Sequence, residues 1–254
     1  MKTVGFISPP GWFDPSPEEF PKITAEPART QQCPLYLPEF NWSLESISKT
    51  EPQQTDAAHC LASMGCDVIA KVGTPFAWAG MDSVREARDR SRRLSDAAGV
   101  PVVMTGIALV DACHALGTEK VALACTYYSS DWKSQWMSYI HASGIHVVAA
   151  RNLADHGLAQ GYDDPADETN WAPTEEQITQ TVLKICEEAP DTEAVAISGA
   201  GARTLALTGK LEEMAGRAVF GADTALYWAA AQAAGIKLMS GILGRLTDTR
   251  PVNP

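Results

Sequence analysis

Cysteine pairs, an excess of basic residues and long apolar runs are what this sequence goes without. Its six cysteines (Cys33, Cys60, Cys66, Cys113, Cys125 and Cys186) are scattered and form no Cys-x-x-Cys. A disulfide framework is therefore not expected, and the spacing suits a reduced cytoplasm. No stretch approaches the ~20 apolar residues of a membrane span. The start, Met1 to Ile7, enters a strand pattern directly, without the apolar core and cleavage site of a signal peptide. Lysine and arginine number 20 against 31 aspartates and glutamates, a formal charge of −11. That balance argues against a nucleic-acid or anionic-membrane partner, both of which need clustered positive charge. The one basic cluster, Arg85, Arg88, Arg90, Arg92 and Arg93, interleaves with acids at helical spacing. It reads as a solvated helix face. The five histidines offer no pair at metal-ligand spacing, and no metal or other cofactor is expected.

What is present is a regular alternation of strand and helix patterns in 254 residues, 45% hydrophobic and 20% charged. Strands are expected at 3–7, 67–72, 102–104, 120–124, 145–149, 193–197 and 217–220. Helices are expected at 55–64 with Thr55 as cap, 81–98, 107–116, 130–143 with Ser130 as cap, 175–188, 205–215 and 224–234. Thr174 and Gln177 have the spacing of a capping box. Residues 11–52 carry Pro15, Pro17, Pro21, Pro27, Pro34 and Pro38 and read as loop, with a short strand at 34–38. Their aromatics, including Trp12, Phe13, Phe20, Tyr36, Phe40 and Trp42, either anchor that loop or wall a pocket. Residues 152–172 read as a polar loop beside the site. The alternation fits right-handed βαβ crossovers, and it restarts near residue 118. The expected architecture is α/β with two pseudo-symmetric halves, each a parallel sheet flanked by helices, and an active site in the cleft between them. The first half is 1–117 with 216–254 packing back on it; the second is 118–215.

Two turns organise this reading. The apolar strand Asp67-Val68-Ile69-Ala70 runs into Lys71-Val72-Gly73-Thr74-Pro75. The strand Ala194-Val195-Ala196-Ile197 runs into Ser198-Gly199-Ala200-Gly201-Ala202-Arg203-Thr204. Ligands of open α/β sheets sit at the carboxyl ends of strands. Glycines let backbone approach a ligand closely, and the following helix N-terminus offers free N–H groups.

These segments resemble the aspartate/glutamate racemase superfamily, in the branch of arylmalonate decarboxylase and maleate cis-trans isomerase. Ser8-Pro9-Pro10 resembles that branch's proline pair after the first strand. Gly73-Thr74 resembles a Gly-Thr-Ser turn, and Val121-Ala122-Leu123-Ala124 with Tyr127 a Val-Ala-Leu-Ala-x-x-Tyr segment. Ser198-Gly199-Ala200-Gly201 with Thr204-Leu205 resembles Ser-Cys-Gly-Gly-x-x-Thr-Leu, and Gly244-Arg245-Leu246 a short tail motif. The resemblance implies two α/β halves enclosing the site and a homodimer. It also implies one catalytic cysteine per half in the racemases and isomerases, and one in the second half of the decarboxylase. Here Gly73 and Gly199 stand at those two positions, and Pro75, with no N–H to donate, stands where the decarboxylase has serine. The resemblance further makes Tyr127 a carboxylate contact, while Tyr128, alternating to the other face, reads as structural.

The candidate substrate-binding residues are Pro9, Pro10, Gly73, Thr74, Pro75, Tyr127, Gly199, Ala200, Gly201 and Arg203. Arg203 either forks onto a carboxylate or lies in solvent. Tyr127 and Asp223 are the candidate catalytic residues; Asp223 either handles a proton or caps the following helix. Cys125 reads as a buried inert thiol. The expected activity is cofactor-independent lyase or isomerase chemistry on a small carboxylic or dicarboxylic acid, through an enediolate-like intermediate and without the family's thiols. Hydrolysis or hydration, and non-catalytic carboxylate binding, stand as alternatives. The discriminating feature is whether a titratable side chain points into the cleft.

Overall fold

A computed structural model describes residues 1–81, 83–160 and 171–251. The first sheet contains β1 (Thr3–Ser8), β2 (Arg29–Pro34), β3 (Val68–Lys71) and β4 (Val102–Met104), in the order β2-β1-β3-β4. The second contains β5 (Lys120–Ala124), β6 (His146–Arg151), β7 (Ala194–Ile197) and β8 (Ala218–Gly221), in the order β6-β5-β7-β8. All pairings are parallel. The two sheets therefore repeat one topology, and β1 and β3 of the first correspond to β5 and β7 of the second. β3 and β7 are buried along their whole length, which explains their apolar sequence, broken only by Lys71 at the end of β3. In each sheet the order reverses between its two central strands, and a ligand crevice opens at such a switch point.

Ten helices accompany the strands among the described residues: α1 (Ser16–Ile23), α2 (Leu44–Ser48), α3 (Glu51–Ser63), α4 (Pro75–Trp78), α5 (Val84–Ala98), α6 (Thr105–Ala115), α7 (Ser130–Ala142), α8 (Glu175–Glu188), α9 (Thr208–Ala215) and α10 (Ala222–Ala234). Three of the longer ones start at side-chain caps: Ser83 accepts from the Glu86 N–H, Ser129 from Trp132, and Thr174 with Gln177 completes a capping box. Gly99 closes α5 at φ +71°, where a side chain would be strained.

The structure corrects several expectations. Residues 11–52 are not all loop. Pro17 is accommodated in the first turn of α1, and β2 lies at Arg29–Pro34 instead of 34–38. β2 is a polar edge strand set by its register on β1, from Thr3 opposite Arg29 to Ser8 opposite Pro34, so it carries no apolar signal. Thr55 lies inside α3, its hydroxyl bonded to the Glu51 carbonyl, and Ser129, not Ser130, caps α7. The arginine cluster is only partly a solvated face. Arg90 is buried and donates to Glu51 and to the carbonyls of Phe76 and Ser48. It thus ties α5 to α3 and to the ends of α2 and α4. The boundary drawn at residue 216 also cuts wrongly through the second sheet. β8 pairs with β7, and only then does α10 cross over to pack on α6, β3 and β4 of the first sheet. The halves share one core: Trp78 of α4 stacks on Trp136 of α7, and Tyr227 of α10 meets Phe6 and Phe20 edge-on. Of the polar loop expected at 152–172, residues 161–170 lie outside the described residues.

Candidate active site

The carboxyl ends of β1, β3, β5 and β7 converge on a cavity. Pro9 and Trp12 reach it after β1, Gly73, Thr74, Pro75 and Phe76 after β3, Tyr127, Tyr128 and Ser129 after β5, and Gly199, Ala200 and Gly201 after β7. Trp42, Trp132 and Trp171 complete the wall. Trp171 meets Trp42 edge-on at 4.0 Å and stacks on Tyr127 at 6.0 Å, which closes the cleft from both halves. An outer recess, lined by Pro10, Gly11, Leu37 and Phe40, lies beyond Trp12, Trp42 and Trp171. Pro10, expected in the site, belongs to that recess.

Gly73 and Gly199 occupy corresponding places, each two residues past its strand, with φ +99° and +111°. Both conformations strain any side chain. The space beside them is also filled. A Cβ on Gly73 would sit 2.8 Å from the Phe76 ring, and one on Gly199 would sit 2.7 Å from Thr126 Oγ1 and 2.8 Å from the Tyr127 ring. At Gly201 a Cβ would meet the Trp171 carbonyl oxygen at 1.7 Å. Among the described residues no cysteine lines the cavity. Cys125, at the end of β5, is buried, and burial pushes its thiol up to about 12, an inert state.

Thr126 explains why two consecutive tyrosines face the cavity. Strand alternation ends with β5 at Ala124, and Thr126 adopts φ +43°, a strained conformation held by its hydroxyl bond to the Ser198 carbonyl at 2.7 Å. The expectation that Tyr128 faces away assumed continued strand geometry and is corrected here. Tyr127 accepts a long hydrogen bond from the Gly201 N–H at 3.4 Å, and burial raises its phenol to about 12. Burial raises the Tyr128 phenol well above its ordinary value, and the field of Tyr127 adds to this; the neighbouring Thr74 and Ser198 hydroxyls draw it partly back. These three buried hydroxyls, Thr74, Tyr128 and Ser198, stand close enough for Thr74 and Ser198 to act on the Tyr128 phenol, but none makes a hydrogen bond of regular geometry among the described residues. An unpaired buried hydroxyl costs roughly 1–3 kcal/mol, so three in one place mark a site built for something absent from the protein itself.

Asp223 and Arg203 sit behind this cavity, not in it. The Asp223 carboxylate accepts from the Thr204 N–H (2.7 Å) and hydroxyl (2.5 Å), from Leu205 (3.1 Å) and from its neighbour Thr224 (2.9 Å). It staples the loop after β7 to the start of α10. The helix start is served separately by Thr224, whose hydroxyl accepts from the Gly221 N–H. Arg203 donates to Glu19, to the Tyr227 hydroxyl and to the Ala200 carbonyl, with Asp14 and Asp223 about its edge. Burial opposes its charge, but Asp223, Tyr227, Asp14 and Glu19 more than offset this and hold its pKa above the usual value. Arg203 is neither solvent-exposed nor free to fork onto a ligand; it fixes the Ala200 carbonyl from below. The only titratable side chains lining the cavity among the described residues are the phenols of Tyr127 and Tyr128. Trp12 and Trp42, read from the sequence as either loop anchors or a pocket wall, are in the wall; Phe76, Tyr128, Ser129, Trp132 and Trp171 were not singled out as site residues by sequence reasoning. A tryptophan at 171, alone in a polar run with Tyr162, was the one available signal.

Among the described residues no cluster of three His, Cys, Asp or Glu could hold a metal, and no helix is long and apolar enough to cross a membrane. The chain is 26% identical over 200 residues to the arylmalonate decarboxylase of Bordetella bronchiseptica, covering 76% of each protein. It is 30% identical over 125 residues to a maleate isomerase of Geobacillus stearothermophilus, covering 48% of this chain and about half (49%) of that enzyme's length. In fold it matches a mutant of the Nocardia farcinica maleate cis-trans isomerase that carries a covalently bound succinylcysteine intermediate. That match has a TM-score of 0.77 at 18% identity and covers 97% of this chain and 98% of that one. Residues 4–247 match the arylmalonate decarboxylase family, and the chain belongs to that family.

Proposed function

We propose that this protein is a cofactor-independent decarboxylase of small, flat-substituted dicarboxylic acids, working without a thiol. The observation that carries this reading is a group of buried hydroxyls without regular partners: Thr74 and Tyr128 line an aromatic cavity, and Ser198, next to the lining Gly199, lies beside them. Hydroxyl donors suit a carboxylate, and in a dry cavity they are worth more than in water. The seven aromatic side chains on the wall suit a flat substituent on the same molecule.

The reactions named for the relatives place different demands on such a cavity. The Nocardia isomerase bears a succinyl group on cysteine, so its chemistry uses a thiol nucleophile. Proton abstraction and water activation both need a base near neutrality. The lining here offers neither thiol, carboxylate, imidazole nor amine among the described residues. Decarboxylation needs none of these to begin. One carboxylate is held in the hydroxyl pocket and the other is pressed against apolar wall. The bond from the α-carbon to the second carboxyl breaks, CO₂ leaves, and the bonding pair stays on the α-carbon, delocalised into the retained carboxylate as an enediolate. The hydroxyls of Thr74, Tyr128 and Ser198 stabilise the charge that builds on its oxygens. A proton then passes to the α-carbon from a phenol, Tyr128 or Tyr127, which is replenished from water. A phenol held above its normal pKa remains a competent acid toward a carbanion, which is far more basic.

A second reading is favoured by the same lining. With two phenols as the only titratable groups, the cavity also fits a protein that binds a carboxylate and does not transform it. Proton NMR in deuterated water with phenylmalonate, maleate, hydroxy acids and lactones separates the readings. Phenylmalonate should lose one carboxyl group and gain deuterium at the α-carbon, with maleate unchanged. Isomerised maleate, or ring opening without α-exchange, overturns the decarboxylase reading; saturable phenylacetate binding with no turnover supports the binding protein.

A further inference from the structure

Lys71 is the last residue of β3, two positions before Gly73, and it is completely buried. Its Nζ donates to the Val72 carbonyl at 2.6 Å and lies 3.6 Å over the ring of Phe76. Phe76 lines the cavity, and its edge is the atom group that a Cβ on Gly73 would strike. Phe76 thus touches both the amine and the cavity, and the amine lies behind the cavity wall. Among the described residues no carboxylate lies within ion-pair distance of it. An ammonium carries three donors, and here one of them finds an oxygen. The neighbours along the sheet are Ile7 and Met104, both apolar, and Thr105 bonds only to the Lys71 carbonyl. The acid whose field reaches the amine is Asp14. Asp14 is itself engaged by the Ser16 N–H and Trp12, with Arg203 at 3.9 Å. A buried lysine without an acid is costly to keep, and nothing in the packing around it requires an amine.

We infer that Lys71 is the buried counter-charge of the carboxylate site, taking up and holding a proton when an anion occupies the cavity. The inference rests on the carboxylate reading of that cavity and adds a charge to a pocket otherwise made of neutral hydroxyls. Burial favours the uncharged amine and lowers its pKa well below the ordinary value, with Asp14 opposing in part. An anion across the Phe76 ring favours the charged form, because charges interact strongly through a low-dielectric interior. Binding and protonation are then linked, and each promotes the other. Once pH rises above the Lys71 pKa of the empty protein, anion affinity falls by about tenfold per pH unit. The phenols of Tyr127, raised to about 12, and Tyr128, raised well above its ordinary value by burial, do not titrate in the same range.

The tryptophans around the cavity supply the readout. Quenching of their fluorescence is titrated with phenylacetate and with its neutral isostere phenylacetamide, between pH 6 and 9.5, in the wild type, Lys71→Met and Lys71→Gln. Circular dichroism checks that each variant is folded; Gln keeps a donor for the Val72 carbonyl should Met disturb the turn. The wild type should prefer the anion by tenfold or more at pH 6 and lose that preference as pH rises. Both variants should bind phenylacetamide as the wild type does, and phenylacetate at least tenfold more weakly with a flat pH profile. Unchanged phenylacetate affinity and pH profile in a folded variant overturns the role of Lys71 while leaving the carboxylate site standing. Absence of phenylacetate binding to the wild type overturns the site reading, and the counter-charge with it.

Discussion

Replacing Gly199 by cysteine tests whether the turn after β7 can accept a thiol. The position has φ +111°, and a side chain held in a sparsely populated backbone region costs roughly 1–3 kcal/mol. Its Cβ would also stand 2.7 Å from Thr126 Oγ1 and 2.8 Å from the Tyr127 ring. Overpacking of that kind costs typically about 1–3 kcal/mol. Neither neighbour can yield freely, since Thr126 is bonded to the Ser198 carbonyl and Tyr127 is stacked on Trp171. Taking roughly 4 kcal/mol for both effects, and ~2–4 °C per kcal/mol for a chain of this size, Tm should fall by about 8–16 °C. The variant should gain no maleate isomerase activity, and its phenylacetate affinity should drop as Tyr127 is pushed aside. Thermal unfolding followed by circular dichroism gives the first quantity, and the fluorescence titration the last. A Gly199→Cys protein that melts with the wild type would refute the claim that the turn was rebuilt around glycine.

Removing the unpaired phenol hydroxyl with Tyr128→Phe should leave Tm unchanged or raise it by up to a few degrees, since a buried unpaired group costs roughly 1–3 kcal/mol, while weakening carboxylate binding; a lower Tm would mean the hydroxyl has a partner. Asp223→Asn loses part of a four-bond buried carboxylate network and should cost about 3 kcal/mol, seen as a reduced urea midpoint. Iodoacetamide should leave turnover intact, because no thiol lines the cavity; substrate-protected inactivation would contradict the thiol-free mechanism. Lys71 has a folded pKa below its ordinary 10.5, so the unfolded chain binds more protons between those two values. Stability of the wild type should therefore rise with pH through that window at up to about 1.4 kcal/mol per unit, and Lys71→Met should remove this slope and melt higher below it.

The frame of the fold was legible because parallel strands buried on both faces advertise themselves as short apolar runs, and β3 and β7 are of that kind. β2 was misplaced because an edge strand of composition Arg-Thr-Gln-Gln-Cys-Pro has no such signature; its register is imposed by β1. The site was legible to the extent that it is made of backbone. Gly73, Thr74, Pro75 and the Gly199–Gly201 turn lie where the strand ends put them. Its side chains were less so. Tyr128 was hidden by a single left-handed residue, Thr126, which local propensity does not announce. Asp223 and Arg203 looked like cleft residues by sequence position, yet three-dimensional partners from α1, the loop after β7 and α10 engage them first.

That pattern bears on what Gly73 and Gly199 would tolerate in place of a hydrogen. A thiol at Gly199 would occupy the volume now held by the Tyr127 ring and the Thr126 hydroxyl, and one at Gly73 the volume held by Phe76. Two aromatic rings, one per half, occupy the places where such side chains would project. Phe76 also carries Lys71 on its face, and Tyr127 is the platform for Trp171. Under the proposed reading, chemistry in this cavity depends on holding and desolvating a carboxylate more than on a nucleophile. Arg203 supports the same economy from below: by pairing with Glu19 and Tyr227 it anchors the Ala200 carbonyl without placing a permanent cation in the cavity. The hydroxyls of Thr74, Tyr128 and Ser198 remain to meet the anion directly, and unpaired hydroxyls that gain partners only with bound ligand stabilise that complex and not the empty protein.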